Sequence, residues 1–378
     1  MRTTLRALCR RLGLAVMCGL MGSCGTSDFR TGRASHLSPE VRAQRFPMVH
    51  DAYAKLGYRV DWTGFAVMSR GGTASHFLVQ DDLCFVLESG SLVTAIETSN
   101  GAMRWSEELA TPLTRFVGLA RQGNQLLVSS EADLYFCDTE TGTVHTRQDL
   151  GNIVNTPPVL VGNIAVFGTV GSGLMGHLMV HGVSMWGYTM NGTIDQSLAV
   201  VGGAIGCVSR AGEVVFVDGA TGSLIMQTRI FDGTSVPPAS SDSLMFIASE
   251  DQSLYAFSPM SPSPAWRYRS DRPLRERPVF HNGTLYCTIP GLGLTAFAED
   301  GRVMWSSPKV TGHVVGVSGG RLVVWNGSSA FLVDPARGDV RDEASVPGVR
   351  HLVADRFVDG SLYAVSDLGV VRKLVRTR

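Results

Sequence analysis

A turn residue recurs about every forty residues, and it constrains the fold of this chain more than any other sequence feature. It occupies seven slots, which are Gly101, Gly142, Gly182, Gly222, Ser261–Pro262, Gly301 and Gly338. Counting Pro262, the spacings are 41, 40, 40, 40, 39 and 37 residues. A fixed period of this size indicates a repeat array. The repeat therefore outweighs the two or three domains that 378 residues would otherwise suggest.

Strand-like runs surround each marker. Gly212–Asp218 and Gln252–Phe257 are rich in β-branched and aromatic residues and are bounded by turn residues. Upstream of the marker lies a hairpin, as in Pro278–Cys287, where Asn282–Gly283 separates two apolar runs. One more strand follows each marker. Four antiparallel strands per unit is the size of a propeller blade. A β-sandwich would not repeat one template at a constant period, whereas a solenoid would.

The last unit favours a closed ring over a solenoid. It reaches its third strand at Gly369–Leu374, and its next turn would fall at Arg378. A spare strand-like segment, Val60–Met68, precedes the first complete unit. We expect this segment to pair into the eighth blade, because closure removes exposed strand edges. The sequence thus predicts an all-β, eight-bladed propeller of four-stranded antiparallel blades over residues 58–378.

The first 23 residues predict a secretion signal. A basic stretch ends at Arg11, and Leu12–Met21 is an apolar run too short to span a bilayer. Gly22–Ser23 then precede Cys24, as in bacterial lipoprotein signals, in which the cysteine carries lipid. In an ordinary cleaved signal Cys24 would be incidental. We expect lipidation at Cys24.

Residues 24–57 are expected to form a lipidated tether with a short helix. Ser38–Pro39–Glu40 is a helix-start pattern with proline at the first helical position. Gly25 follows Cys24, whereas an aspartate there tends to retain lipoproteins of Gram-negative bacteria at the inner membrane. The expected location is therefore the outer membrane, with the protein anchored by lipid and facing the periplasm.

Charge and cysteine content limit the partners and the cross-links. Without residues 1–23, which carry four of the 33 basic residues and no acid, 29 basic and 33 acidic residues remain. A net charge of about −4 argues against nucleic acid as a partner. Four cysteines lie in strand-like runs of different units, and these are Cys84, Cys137, Cys207 and Cys287. We interpret them as buried free thiols, although an even number in an exported protein also allows disulfides.

No motif in the sequence supports catalysis, cofactor binding or metal binding. Gly171–Gly176 spells a dinucleotide fingerprint, but a strand follows it rather than a helix, so we interpret it as a turn. His177 and His181 would lie about 13 Å apart on a strand, too far apart for one metal ion. The adjacent pairs Asp81–Asp82 and Glu107–Glu108 would point to opposite faces of their strands.

The recurring tryptophans allow two interpretations. They stand four residues after the marker in four units, at Trp105, Trp186, Trp266 and Trp305. Aromatic faces can stack on planar ligands. The same position in four units instead favours a common packing role between neighbouring blades.

The repeat resembles a known family. The pattern Gly-x-Leu-Tyr-Ala-hydrophobic-Asp followed by Thr-Gly-x-x-x-Trp resembles the pyrroloquinoline-quinone-like (PQQ-like) propeller repeat, and Asp138–Gly142 and Asp218–Gly222 match its turn. The resemblance covers roughly residues 72–378. Within that superfamily the chain resembles the BamB family, propeller lipoproteins of the outer-membrane β-barrel assembly machinery. Quinone-dependent dehydrogenases of the same superfamily are longer and carry a metal site.

The BamB resemblance implies a non-enzymatic scaffold without a cofactor, which docks on the barrel-inserting subunit and helps deliver unfolded barrel proteins. In that family docking uses Leu-x-Leu-Arg after the third blade and Asp-x-Asp after the fourth. The matching stretches here, Tyr188–Asp195 and Phe231–Pro237, contain neither motif, and Asp232 is the nearest match. The partner-binding residues therefore stay unassigned. A propeller that binds another envelope protein or ligand, and a quinone-dependent dehydrogenase, remain alternatives.

Overall fold

The protein forms an eight-bladed β-propeller, which confirms the predicted fold class. The computed structural model describes residues 37–47, 49–171 and 173–377. The expected signal peptide, Cys24 and the first part of the tether lie outside the described residues. Within them, thirty-two strands form eight four-stranded antiparallel sheets. Each sheet is one blade of the ring.

Two short helices precede the blades, α1 (Pro39–Arg45) and α2 (His50–Lys55). Blade 1 comprises β2 (Ala74–Gln80), β3 (Leu83–Glu88), β4 (Leu92–Glu97) and β5 (Met103–Glu108), and blade 2 comprises β6 (Phe116–Gln122), β7 (Gln125–Ser130), β8 (Asp133–Asp138) and β9 (Val144–Asp149). Blade 3 comprises β10 (Val159–Val161), β11 (Ile164–Thr169), β12 (Gly173–Leu178) and β13 (Val183–Thr189), and blade 4 comprises β14 (Ala199–Val201), β15 (Ala204–Val208), β16 (Glu213–Asp218) and β17 (Leu224–Arg229).

Blade 5 comprises β18 (Ala239–Ser240), β19 (Met245–Ala248), β20 (Ser253–Phe257) and β21 (Trp266–Arg269), and blade 6 comprises β22 (Val279–His281), β23 (Thr284–Ile289), β24 (Gly293–Ala298) and β25 (Val303–Ser307). Blade 7 comprises β26 (His313–Ser318), β27 (Arg321–Trp325), β28 (Ser329–Val333) and β29 (Val340–Ser345), and blade 8 comprises β30 (Val349–Ala354), β31 (Leu362–Ser366) and β32 (Val370–Arg376) together with β1 (Tyr58–Phe65). First strands contact one another from blade to blade, so they surround the axis and the fourth strands form the rim.

The ring closes through the N-terminal strand, as predicted. β1 pairs antiparallel with β32 and becomes the fourth strand of blade 8. It begins at Tyr58 and ends at Phe65, so it starts earlier and ends earlier than the expected Val60–Met68. Its Trp62 pairs with Lys373 one residue after a bulge, in the register of Trp105 and Ala95 in blade 1. The N-terminal strand therefore carries the recurring tryptophan of its blade.

The N-terminal helices pack against blades 7 and 8. The Ser38 side chain accepts a hydrogen bond from Val41 N and caps α1, where the helix-start pattern places it. Phe46, Tyr53 and Leu56 are buried in one apolar cluster with residues of both blades. The Arg372 guanidinium, which is also buried, donates to the backbone oxygens of Phe46 and Pro47.

Each recurring tryptophan packs on the turn glycine of the next blade. A Cβ atom on Gly142 would lie 2.6 Å from the Trp105 ring, and the Nε1–H of Trp105 donates to Thr139 O at 2.8 Å in the same turn. The equivalent Trp–Gly pairs are Trp62–Gly101, Trp186–Gly222, Trp266–Gly301 and Trp305–Gly338. This confirms the packing role. Glycine is needed there because the ring occupies the space of a side chain and because its φ is positive.

The hydrogen bonds of the marker turn show why the repeat has an aspartate at its start. Asp138 Oδ1 accepts hydrogen bonds from the backbone N–H groups of Glu140 and Thr141 and from the Thr141 hydroxyl. The bond from the Thr141 backbone is the largest cause of a lowered Asp138 pKa. Asp218 makes the same bonds to Ala220 and Thr221. The aspartate thus shapes the turn that presents the glycine to the tryptophan.

The four cysteines are buried free thiols in different blades. Burial raises the pKa of Cys84, Cys137 and Cys287 to about 12. They therefore act as small apolar residues of the core.

Candidate functional site

Three interfaces between neighbouring blades lack the tryptophan. The same strand position holds Thr146 in blade 2, Met226 in blade 4 and Asp342 in blade 7. The interface of blades 7 and 8 instead takes in aromatic residues of the N-terminal helices. A cavity of about 310 Å³ lies between blades 2 and 3 and includes Thr146. A larger groove opens between blades 4 and 5.

The groove between blades 4 and 5 has a volume of about 710 Å³. Its lining is Thr228, Arg229, Ile230, Phe231, Asp232, Glu250, Asp251, Gln252, Tyr255, Phe257, Pro264, Arg267 and Arg269. A second cavity of about 520 Å³ in the same interface includes Ile225 and Met260. Met226 is smaller than tryptophan, and no Trp–Gly contact fills this gap.

A polar cluster forms the floor of the groove. The Tyr255 hydroxyl donates to Asp251 Oδ2 at 2.6 Å, and the Arg267 guanidinium lies 5.0 Å above the Tyr255 ring. Burial, with a smaller contribution from the Asp251 bond, raises the pKa of Tyr255. The Asp251 side chain is 2% exposed, and its Oδ1 has no hydrogen-bond partner in the described structure. Tyr255 is thus held in place from both sides.

Phe231 stands at the groove rim and is 91% exposed. The chain on both sides of it is fixed. Ile230 is buried and its N–H donates to Gly212 O at 2.8 Å. After it, the Ser249 hydroxyl donates to the backbone oxygens of Asp232 and Gly233. Aromatic side chains are enriched at the centre of protein interfaces, so Phe231 is a candidate contact residue.

The two segments that correspond in position to the docking motifs of the BamB family lie on one face of the propeller. Tyr188–Asp195 and Phe231–Pro237 include the linkers that follow blades 3 and 4. Arg210, in the turn between β15 and β16, joins them: its Nη1 lies 3.1 Å from Asp195 Oδ2, and its backbone lies against Gly233. Asp232 lies on the groove rim. The second segment therefore reaches the groove, and Arg210 connects the first segment to it.

The other sequence candidates are structural. The turn at Gly171 leads into β12, which begins at Gly173, so the strand starts within the apparent fingerprint. His177 lies on β12, is buried and bonds Gln148 Oε1 at 2.8 Å, and burial lowers its pKa. His181 lies in the following turn rather than on the strand, which corrects the expectation that both share one strand. Asp81 and Asp82 lie in the turn between β2 and β3 and both lie near Arg121, which corrects the expectation that they point to opposite faces of a strand.

The chain was compared with known protein families. A model described as "Outer membrane protein assembly factor BamB" matches residues 88–236 and 210–374, most of the chain. The chain belongs to the BamB family. This confirms the resemblance drawn from the repeat. A comparison with curated proteins gave no significant sequence match.

Solved structures share the fold. BamB from Moraxella catarrhalis is 17% identical, with a TM-score of 0.63 over 80% of this chain and 94% of that one. The computationally designed Ika8 protein is 10% identical, with a TM-score of 0.69 over 84% and 99%. Quinohemoprotein alcohol dehydrogenase from Comamonas testosteroni is 12% identical, with a TM-score of 0.64 over 88% and 78%. Because a designed protein and an enzyme match equally well, this likeness establishes the fold alone.

Two further findings concern chemistry and membrane contact. No three His, Cys, Asp or Glu side chains of the described residues lie close enough together to hold a metal ion. No helix in the described part of the chain is both long and apolar enough to cross a membrane.

The sequence signals for the interface that holds the groove were the absence of tryptophan at position 226 and the absence of glycine at position 262.

Proposed function

We propose that this BamB-family propeller is a non-enzymatic scaffold lipoprotein that takes part in outer-membrane β-barrel assembly. The observation that supports this most directly is the groove between blades 4 and 5, with Phe231 exposed at its rim. Of the two stretches that correspond in position to the docking segments of the BamB family, Phe231–Pro237 contributes to that groove and Tyr188–Asp195 is joined to it through Arg210. Its partners are envelope proteins, with the assembly machinery first among them, and neither a cofactor nor nucleic acid is required.

The proposed organisation follows from the sequence. Residues 1–23 are the signal peptide, Cys24 carries lipid, residues 24–57 form the tether, and residues 58–378 form the propeller. The lipid holds the protein at the outer membrane, facing the periplasm. The helices α1 and α2 attach the end of the tether to blades 7 and 8.

Affinity purification from the detergent-solubilised envelope tests the assembly role. We expect the tagged protein to recover the barrel-inserting subunit. Phe231→Ser should reduce recovery, because Phe231 is the exposed aromatic at the rim. The matched control is Leu113→Ser, which removes a 95% exposed residue from the linker between blades 1 and 2. Failure of the unaltered protein to recover the subunit would favour another envelope partner.

Replacing the expected lipid-bearing residue tests the anchor. Cys24→Ala should move the protein from the membrane fraction to the soluble periplasmic fraction, because the described residues contain no spanning helix. A variant that stayed membrane-bound would rule out the lipid anchor at this residue.

A quinone titration tests the enzymatic alternative. We expect no stoichiometric binding when pyrroloquinoline quinone and calcium are added and absorbance is followed. Stoichiometric binding together with alcohol-dependent dye reduction would overturn the scaffold proposal.

A further inference from the structure

The groove between blades 4 and 5 contains arginines without a full partner. Arg267 donates from Nε and Nη2 to the same Ser253 hydroxyl, at 3.0 and 2.9 Å. The nearest carboxylate oxygen, Asp251 Oδ2, lies 4.0 Å away and already accepts from Tyr255. Arg229 and Arg269 line the same groove, and neither side chain makes a hydrogen bond or ion pair within the described residues.

Blade 2 contains the same tyrosine–arginine pair, but there a carboxylate accepts hydrogen bonds from the arginine. Arg147 lies 5.5 Å above Tyr135, in the register that Arg267 has with Tyr255. Its Nε and Nη2 donate to the two oxygens of Asp133, both at 2.9 Å. Blade 5 has Ser253 at the position of Asp133. The guanidinium of Arg267 therefore makes no hydrogen bond to a carboxylate, whereas that of Arg147 makes two.

We propose that the groove binds an acidic segment of a partner protein. A carboxylate of that segment would accept a hydrogen bond from Arg267 Nη1, which has no partner within the described residues because Nε and Nη2 donate to Ser253. Arg229 and Arg269 would pair with neighbouring acidic residues, and an apolar side chain of the segment would pack on Phe231. This inference deepens the proposed scaffold role, since it names the chemistry of the partner at the same groove.

Charge complementarity selects this occupant. A guanidinium binds carboxylate through two parallel hydrogen bonds, which adds geometric specificity to the attraction. Asp232, Glu250 and Asp251 also line the groove; Asp251 lies 4.0 Å from Arg267, and Glu250 lies 3.6 Å from Arg275. These three acids would repel a phosphate polymer, which carries charge at every unit. A protein segment can place its carboxylates only where the arginines stand.

Fluorescence anisotropy with the purified protein tests the proposal. The probe is a fluorescein-labelled synthetic peptide, Gly-Ser-Glu-Phe-Glu-Leu-Glu-Gly, and its control has glutamine in place of each glutamate. We expect saturable binding of the acidic probe, weakened by added salt because the pairs are partly exposed. The glutamine probe should bind about tenfold more weakly or worse.

Matched variants locate the binding. Arg267→Ala should weaken binding of the acidic probe about tenfold, whereas Arg147→Ala should not change it. Ser253→Asp should also weaken binding, because it gives Arg267 an internal carboxylate and keeps the arginine. Circular dichroism would show that each variant is folded.

Three outcomes would overturn the proposal: no saturable binding, equal binding of both probes, or equal effects of Arg147→Ala and Arg267→Ala. The assembly role can fail separately. Recovery of no barrel-inserting subunit together with probe binding would leave the acidic specificity intact and remove the assembly role.

Discussion

The interfaces of blades 1 and 2 and of blades 4 and 5 are built on the same pattern, yet only the first is closed. In the first, Trp105 is 8% exposed and packs on Gly142. In the second, Met226 occupies the tryptophan position, and Ser261–Pro262 replaces the glycine. A groove of about 710 Å³ lies in this interface, and Tyr255 and Phe257 of its lining share an apolar cluster with Met226. The two halves of the Trp–Gly contact are missing together.

The difference shows how a repeat protein acquires a specific surface. Blades that keep the tryptophan bury about 200 Å² of aromatic surface in a fixed contact. An interface that loses it exposes polar residues that the repeat otherwise covers or neutralises. The same comparison extends to Arg147 and Arg267, because Arg147 donates hydrogen bonds to a carboxylate, whereas the Asp251 carboxylate lies 4.0 Å from Arg267.

The largest expected effect comes from removing the tryptophan. Trp105→Ala should lower the free energy of unfolding by about 3–5 kcal/mol, because it leaves a cavity between two blades. Met226→Ala, beside the groove, should cost about 2 kcal/mol. Urea denaturation measures both. Alkylation of Cys137, whose thiol shares the cluster of Trp105 and has a pKa raised to about 12 by burial, should accelerate only in Trp105→Ala. Equal losses would remove the contrast between the interfaces.

The turn glycine should rank next. Gly142→Ala places a Cβ against the Trp105 ring in a backbone with φ of +76°. We expect a loss of about 2–4 kcal/mol from overpacking and conformational strain combined. Gly123→Ala has a similar positive φ but nothing within 4 Å of its Cβ, so it measures the strain alone. A loss no greater than that of Gly123→Ala would show that the ring moves aside.

Restoring the tryptophan should close the groove. Met226→Trp combined with Pro262→Gly recreates both halves of the contact seen at Trp105 and Gly142. We expect the free energy of unfolding to change by less than about 1.5 kcal/mol and probe binding to be lost. Met226→Trp alone should be less stable than the pair, because residue 262 then retains a side chain. Undiminished probe binding in the double variant would place the site outside the groove.

The smallest expected change in the free energy of unfolding comes from replacing Asp133, whose carboxylate accepts from Arg147. Asp133→Ser gives Arg147 the surroundings of Arg267. The ion pair is partly exposed, with 62% of the Arg147 side chain accessible, so the cost should be about 1 kcal/mol or less. Thermal unfolding, with the Asp133→Ser/Arg147→Ala pair completing the cycle, measures the coupling. A coupling near zero would mean that Asp133 does not hold Arg147.

Much of the fold follows from the sequence. The spacing of the glycines predicts eight blades, and Val60–Met68 predicts closure, because a period of forty residues fits four short strands and their turns. The partner of each tryptophan did not follow. Trp105 stands four residues after Gly101, but it packs on Gly142 of the next blade. The sequence predicts packing between neighbouring blades but not which residue each tryptophan contacts, because blade stacking brings residues about forty apart into contact.

The candidate site was still less visible. No motif marks Phe231, Tyr255 or Arg267, and the matching docking stretches lack the motifs of the BamB family. The groove depends on residues that are absent from the repeat, at positions 226 and 262. The effect of these two positions can be inferred only once the Trp–Gly contact between neighbouring blades is known.

The sequence by itself determined the number of blades, the closing strand and the family, because local strand and turn chemistry repeats at a constant period. Only the tertiary structure decided which interface stays open and which arginine makes no hydrogen bond to a carboxylate. Both depend on side chains from adjacent blades, and the volume and charge between two blades are properties of the pair rather than of either repeat.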